Sequence, residues 1–199
     1  MSQLIACKNK NGIVLATDSK ALDVDPQGHL IELQIERLVP LTSTTAILTG
    51  GAAAGEKMCR ALKEFITQEG IADITEIYTA ALPFLASEYE RFMRRTCEIR
   101  PLDPIHQVVF ILAGYTATAL QNPFRLYLLW TKKKLPQLDG DEISSAFTVP
   151  RIIRLEYKLN QLCEANAPLD HLLSEIRTGL EKQAKVQDEI APPFTLATI

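Results

Sequence analysis

No stretch of the chain approaches the ~20 apolar residues that a membrane-spanning helix requires. The first residues carry no basic segment, and Lys8 and Lys10 interrupt the first apolar run, so no signal peptide is predicted. Lysine and arginine number 21 against 24 aspartate and glutamate residues, which gives a net charge of -3. This balance offers no broad positive surface for nucleic acid or an acidic membrane. We therefore expect a cytoplasmic protein with no nucleic-acid or membrane partner.

Cysteine and histidine are too scattered in the sequence to suggest a metal site. The four cysteines form no Cys-x-x-Cys pair, and the three histidines lie far apart. Zinc sites usually draw on such closely spaced ligands. We therefore predict no metal and no cofactor. The cysteines are predicted to be free thiols, with Cys7 and Cys59 serving as small core residues.

Hydrophobic periodicity predicts strands followed by two helices, twice over. Strands are expected at 3–9, 12–18, 30–35, 37–41 and 44–49, then helices at 53–68 and 73–95. The second half suggests strands at 107–114, 124–130 and 145–148, helices at 151–165 and 169–185, and a last strand ending at Ile199. The Asn11-Gly12 turn should make the first two strands a hairpin. The strands at 30–35 and 37–41 are assigned to one sheet.

No linker or low-complexity segment divides the chain, so residues 1–199 are predicted to form a single domain. Strands that precede pairs of helices suit a mixed α+β fold. The pattern fits two antiparallel sheets packed together, with a layer of helices outside each.

Ser2 is the first candidate functional residue. Removal of Met1 would give it a free α-amine beside its hydroxyl. Asp18 closes the second predicted strand, and Thr49 leads into a glycine-rich turn that begins at Gly50. A terminal hydroxyl, a nearby acid and the N–H groups of such a turn are the parts of an amine-activated nucleophile. Because an α-amine has a pKa of about 7.7–8.0, its neutral form can accept the hydroxyl proton near neutral pH.

These features resemble a proteasome-type subunit of the N-terminal nucleophile (Ntn) hydrolase family, close to the 20S β type. The matching stretches are 4–8, 12–20, 48–53, 113–115 and 194–199. The resemblance implies a four-layer α-β-β-α sandwich whose subunits associate in rings around a chamber. It also implies a threonine/serine-type endopeptidase that hydrolyses peptides or unfolded proteins through an acyl-enzyme on Ser2. An ATPase unfoldase is the candidate partner.

The resemblance also assigns roles to individual residues. Ser2 falls where active members expose a threonine nucleophile, and Asp18 falls on the acid that ends the second strand. Arg37 falls on the catalytic lysine, Gly50 on the oxyanion-hole glycine, and Asp188 on an acid that supports the amine. The positions implied for an apolar specificity pocket are Ala21, Ile35, Leu48 and Ala52, with Glu56 at its base.

Several departures from the family pattern keep other functions open. Serine replaces threonine at the nucleophile position, and Arg37 replaces a lysine although arginine cannot release a proton in a protein. Thr148-Val149-Pro150 and Ala191 stand where the family carries hydroxyls that support the amine. The alternatives are a catalytically inactive structural ring subunit of the same fold and an Ntn amidase that acts on a small molecule.

Overall fold

A computed structural model of the protein describes residues 2–25, 27–96, 102, 105–119, 121–132 and 137–199. Met1 and Cys97, which entered the sequence-based predictions, lie outside the described residues. In chain order the elements are β1 (Leu4–Asn9), β2 (Gly12–Thr17), β3 (Lys20–Val24), β4 (Leu30–Gln34), β5 (Leu38–Pro40), β6 (Thr45–Gly51), α1 (Ala54–Glu69), α2 (Ile74–Thr96), β7 (Val108–Tyr115), β8 (Phe124–Thr131), β9 (Leu138–Glu142), β10 (Ala146–Val149), α3 (Ile153–Glu164), α4 (Leu169–Ala184) and β11 (Thr195–Thr198).

The first sheet has the strand order β10-β1-β2-β11, and all its pairs are antiparallel. The β1–β2 hairpin closes with Asn9 paired to Gly12, as the turn signal predicts. Leu4 and Ile13 face a core cluster shared with the second sheet, whereas Ile5 and Val14 face α3 and α4. Because successive side chains of a strand point to opposite faces, burial on both faces explains the nearly continuous apolar sequence of this hairpin.

The second sheet has the order β5-β6-β7-β8-β9 and is also antiparallel throughout. Helices α1 and α2 cover one of its faces. Met58, Leu62 and Ile66 lie on one side of α1 and are buried against this sheet together with apolar residues of α2. Such spacing is typical of a helix with one core-facing stripe. The sheet's other face contributes Leu48 and Ile111 to the cluster shared with the first sheet.

A third sheet, made of β3 and β4 alone, departs from the prediction. The segment 30–35 was expected to share a sheet with 37–41, but β4 pairs with β3, and β5 pairs with β6. That expectation is wrong because β4 turns back on β3, which was not predicted as a strand. Most side chains of β4 are exposed, so burial did not constrain its sequence pattern.

The predicted α+β class with antiparallel sheets is confirmed, with four helices among the described residues. Cys7 and Cys59 are free and buried, as predicted for small core residues. Within the described part of the chain, no helix combines the length and apolarity that crossing a bilayer demands.

Candidate active site

Ser2 lies two residues before the start of β1, at the point where the two large sheets meet, and its exposure is only 5%. Its Oγ accepts a hydrogen bond of 2.9 Å from the backbone N–H of Gly51. Gly51 is the last residue of β6, and the next amide, that of Ala52, donates to Gln107 O at 2.9 Å. The end of β6 therefore places a backbone N–H donor directly beside the candidate nucleophile, where a donor for a developing oxyanion would also have to lie.

The donor belongs to Gly51 and not to the neighbouring Gly50. Gly50 is buried within β6, where it pairs with Val109 of β7. A Cβ on Gly50 would come within 2.9 Å of the Val109 side chain, so close packing of the two strands explains a glycine there. The oxyanion role assigned to Gly50 stays a prediction, and Gly51 is a candidate that the sequence reasoning missed.

Asp18 follows β2 directly and is 1% exposed. Its Oδ1 accepts a 2.9 Å hydrogen bond from the backbone N–H of Gln3, the residue after Ser2. Its Oδ2 has no hydrogen-bond partner among the described residues. Burial raises the pKa of Asp18, while the Gln3 N–H and the charge of Arg37 act in the opposite direction. Asp18 thus fixes the backbone beside Ser2 and keeps one oxygen uncommitted.

Arg37 lies just before β5 and is 2% exposed. Its guanidinium donates to the carbonyl oxygens of Lys20 at 2.5 Å and Thr49 at 3.2 Å. Burial lowers the pKa of Arg37 to about 10, against the attraction of Asp18 and Glu56. The group therefore stays charged at neutral pH and ties the start of β3 to the end of β6.

Both buried charges, Asp18 and Arg37, have pKa values displaced toward the neutral form, and desolvation is the largest cause in each case. Their mutual attraction therefore does not offset the loss of water. Burying two charges at such a cost contributes little net stability to a fold. Buried ionisable groups whose pKa values are displaced, next to a potential nucleophile, are typical of functional sites.

A small cavity of about 110 Å³ opens beside Ser2. It is lined by Ser2, Lys20, Ala21, Leu22, Glu32, Arg37, Gly51, Asp188 and Glu189. Four predicted site residues, Ser2, Arg37, Ala21 and Asp188, therefore meet at one place. Asp188 is exposed, and its backbone carbonyl accepts a 2.8 Å hydrogen bond from Lys20 Nζ.

Lys20 and Glu189 line this cavity but were not singled out from the sequence. Lys20 Nζ also pairs with Glu32 at 2.7 Å. A usable signal existed for Lys20, because it follows Asp18 at the end of the most specific motif. No signal marked Glu189, since its position depends on how the segment after α4 returns to Ser2.

The remaining predicted pocket positions lie elsewhere. Ile35 and Glu56 line a different cavity of about 320 Å³, bordered by α1 and α2. Leu48 is fully buried between the two large sheets, and Ala52 is buried under α1 and α2. Of the five positions, Ala21 is the one that reaches the cavity beside Ser2. The specificity roles of all five stay predictions.

Comparison with solved structures decides the fold. Anbu (ancestral beta-subunit) from Yersinia bercovieri superposes with a TM-score of 0.68 at 14% identity, over 98% of this chain and 80% of that one. The Anbu complex of Pseudomonas aeruginosa, described as a helical assembly, gives 0.70 at 11% identity, over 99% and 80%. Anbu from Hyphomicrobium sp. strain MC1 gives 0.65 at 13%, over 99% and 81%. The chain has the Anbu fold.

At these identities the likeness concerns the fold, and it supports the proteasome-type resemblance at that coarse level. The narrower assignment to β-like subunits is not shown. A scan against protein-family models finds no match, and a search of curated proteins finds none either.

Replacing Gly51 by alanine is expected to destabilise the Anbu fold by roughly 3 kcal/mol. Gly51 has a φ of +83°, and an added Cβ would come within 2.1 Å of Gln107 O. Gly70 is the matched control: its φ is +67°, but no atom of the described residues lies within 4 Å of an added Cβ. Gly70→Ala should therefore cost only about 1 kcal/mol, the left-handed backbone term alone. Urea unfolding measures both, and equal losses would contradict the structure.

The stability of the protein should carry a pH dependence that originates at Asp18. Because burial raises its pKa, the folded state binds a proton more readily than the unfolded chain. Stability falls with rising pH wherever the folded state holds more protons. Asp18 therefore lowers the free energy of unfolding as pH rises from about 4, the unfolded value, through the raised folded pKa.

The Asp18→Asn variant is expected to lose this decrease in the free energy of unfolding with rising pH. The control variant Asp170→Asn, at an exposed position on α4, should retain it. Urea unfolding at a series of pH values gives the slope. A slope that Asp18→Asn leaves unchanged would show that Asp18 does not titrate in this way.

Proposed function

We propose that the protein is a proteasome-like peptidase whose nucleophile is Ser2 once Met1 has been removed. The observation that carries this proposal is the 2.9 Å hydrogen bond from the Gly51 N–H to Ser2 Oγ, beside the buried Asp18 and Arg37. The assigned reaction is hydrolysis of peptide bonds in peptides or unfolded proteins. No metal or cofactor takes part in the proposed chemistry.

In the proposed mechanism the free α-amine of Ser2 accepts the proton of Oγ, and Oγ attacks the carbonyl carbon of the scissile bond. The carbonyl oxygen of the scissile bond becomes negative and accepts a hydrogen bond from the Gly51 N–H. Losing one such donor typically costs about 3–4 kcal/mol of transition-state stabilisation. The amine returns the proton to the leaving nitrogen, which breaks the C–N bond. Water then hydrolyses the ester on Oγ and releases the second product.

Arg37 and Asp18 act in this proposal through charge and position. The guanidinium cannot relay a proton, but its positive charge near the α-amine favours the neutral, basic form of that amine. Asp18 holds the Gln3 N–H at 2.9 Å and thereby fixes the peptide that follows Ser2. Asp188, at the mouth of the same cavity, is proposed to support the amine.

We further propose that the chain is one domain arranged as a four-layer sandwich and works in a self-compartmentalising ring in the cytoplasm. Three core clusters support the layering, because they lie between α1/α2 and the five-stranded sheet, between the sheets, and under α3/α4. The helical assembly of the Pseudomonas aeruginosa Anbu complex supports self-association. An ATPase unfoldase remains the proposed partner.

The direct test is hydrolysis of unstructured peptides by the purified protein, with products identified by mass spectrometry. The proposal expects turnover that follows the assembled fraction on a sizing column. Absence of cleavage in a fraction whose N-terminus is Ser2 would refute it.

An inactive structural subunit is the second candidate, and one feature of the site favours it. The family carries Gly-Ser-Gly where this chain has Thr148-Val149-Pro150, so Val149, which has no hydroxyl, stands at the position of the supporting serine. Ala191, at the other such position, has no hydroxyl. A protein that assembles fully, lacks Met1 and cleaves nothing would match this candidate.

A further inference from the structure

A second and much larger cavity, here called the Ser2 groove, also begins at Ser2. Its volume is about 800 Å³, and Ser2, Gly50 and Gly51 form one end. The walls come from β7, β8 and β10, and the apolar side chains that line them are Val108, Val109, Leu128, Trp130, Phe147 and Val149. The groove therefore lies where the two large sheets separate next to the candidate nucleophile.

The groove differs in chemistry from the small cavity on the other side of Ser2. The two share Ser2 and Gly51, but the small cavity adds the ionisable side chains of Lys20, Glu32 and Arg37. Ser2 thus stands between a charged space of about 110 Å³ and an apolar space of about 800 Å³. Only the larger space has the dimensions of a typical ligand site, roughly 300–1,000 Å³.

The charged side chains at the rim of the groove are paired with one another or with neighbours. Lys132 Nζ lies 3.2 Å from Asp139 Oδ1. The Arg151 guanidinium lies 4.7 Å from the centre of the Phe147 ring, and Nε contacts Glu156 Oε1 at 2.6 Å. Pairs of this kind leave little unbalanced charge to attract a charged ligand.

The walls keep apolar surface in contact with solvent. Val109, Leu128, Trp130, Phe147 and Val149 are each only half-buried. Removing such surface from water favours a complex roughly in proportion to the apolar area that is covered. A ligand that brings its own apolar side chains next to Ser2 would recover this free energy, whereas a charged one would lose hydration without gaining a partner.

We propose that the Ser2 groove binds the apolar segment of a peptide that flanks the bond to be cut, which makes the protein selective for apolar sequences. This inference rests on the proposed peptidase function. The occupant is the substrate chain, because the groove is continuous with the Ser2 hydroxyl and the Gly51 N–H.

Trp130 supplies the readout, since it is the single tryptophan of the chain and lines the groove. The Ser2→Ala protein is titrated with a short capped peptide of leucine and phenylalanine, and in parallel with a peptide of equal length made of glutamate and serine. We expect a saturable blue shift of the tryptophan emission with the apolar peptide alone. No shift, or the same shift with the acidic peptide, overturns the inference.

A pair of variants places the binding in the groove. Leu128→Gln should weaken binding of the apolar peptide about tenfold, as expected for loss of one well-buried aliphatic contact. The exposed Leu30→Gln on β4 is the matched control and should bind as tightly as the parent. Val109→Thr, which keeps the side-chain shape, replaces Leu128→Gln if the latter does not fold. Equal affinities for groove and control variants contradict the inference.

The experiment separates this inference from the proposed function. Binding is read without turnover, so a protein that never cleaves peptides can still show the selective shift. Conversely, the protein could cleave apolar and acidic peptides equally and show no selective shift of the tryptophan emission. That result would support the proposed peptidase function and refute selective binding of apolar peptides in the Ser2 groove.

Discussion

Replacing Ser2 by alanine is expected to abolish peptide hydrolysis, a fall of about a million-fold if Ser2 is the nucleophile. Alanine keeps the α-amine that follows removal of Met1, but it has no oxygen to form the acyl-enzyme. Ser2 Oγ makes one hydrogen bond to the Gly51 N–H, so its loss should change stability by only about 1 kcal/mol. Product formation, thermal unfolding and assembly size are measured on the same sample.

Ser174→Ala is the matched control, since Ser174 is an exposed serine on α4. It should keep full turnover. If Ser2→Ala retains activity within tenfold of the parent, hydrolysis comes from another group or from a contaminant. If both proteins are inactive yet assemble normally, the inactive structural subunit becomes the better account.

Replacing Arg37 by methionine is expected to destabilise the protein by about 3–5 kcal/mol, because it leaves the buried charge of Asp18 without the opposite charge that acts on it. Methionine has a similar length but leaves the carbonyls of Lys20 and Thr49 without their donor and Asp18 without a nearby positive charge. Turnover should fall as well, because the charge that keeps the α-amine neutral is lost. Urea unfolding at pH 7 gives the change in stability.

Arg154→Met, on the exposed side of α3, controls for the loss of an arginine and should lie within about 0.5 kcal/mol of the parent. Arg37→Lys tests the role of charge alone. It should recover part of the turnover, since a lysine keeps a positive charge. An Arg37→Met protein as stable as the control would show that the buried guanidinium is not integrated as described.

The secondary structure could be predicted from the sequence wherever burial on one face imposes a regular pattern of apolar side chains. Helices α1 and α2 begin and end within two residues of the predicted bounds, because their apolar stripes run their full length. Strands β3 and β9 were missed for the opposite reason. β9 contains Asp139, Asp141 and Glu142 and owes its strand form to pairing with β8, a contact that periodicity does not encode.

The sequence predicted which elements and side chains form the candidate site, but not which backbone N–H contacts Ser2 Oγ. Ser2 and Asp18 were singled out from residue type and position, Arg37 was implied by the family resemblance, and the structure brings the three close together. The position of the N–H at the end of β6 that points at Ser2 depends on strand register. A shift of one residue turns each N–H and each side chain to the opposite side of the strand. This is why Gly51 rather than Gly50 reaches Oγ.

Pocket positions were the least accessible from sequence. Leu48 and Ala52 have apolar side chains that suit a specificity pocket and a core equally well, and the packing of the sheets and helices places both in the core. The Ser2 groove, in contrast, is assembled from β7, β8 and β10, which are far apart in the chain. No local pattern marks such a surface.

The measurement that most directly tests the central claim is the intact mass of the purified protein before and after incubation with a peptide epoxyketone. This electrophile forms a stable ring only with a hydroxyl and an α-amine on the same terminal residue. We predict a mass without Met1 that gains one inhibitor, with no gain in the Ser2→Ala protein. A protein without Met1 that gains nothing under saturating epoxyketone would contradict the assignment of Ser2 as the nucleophile.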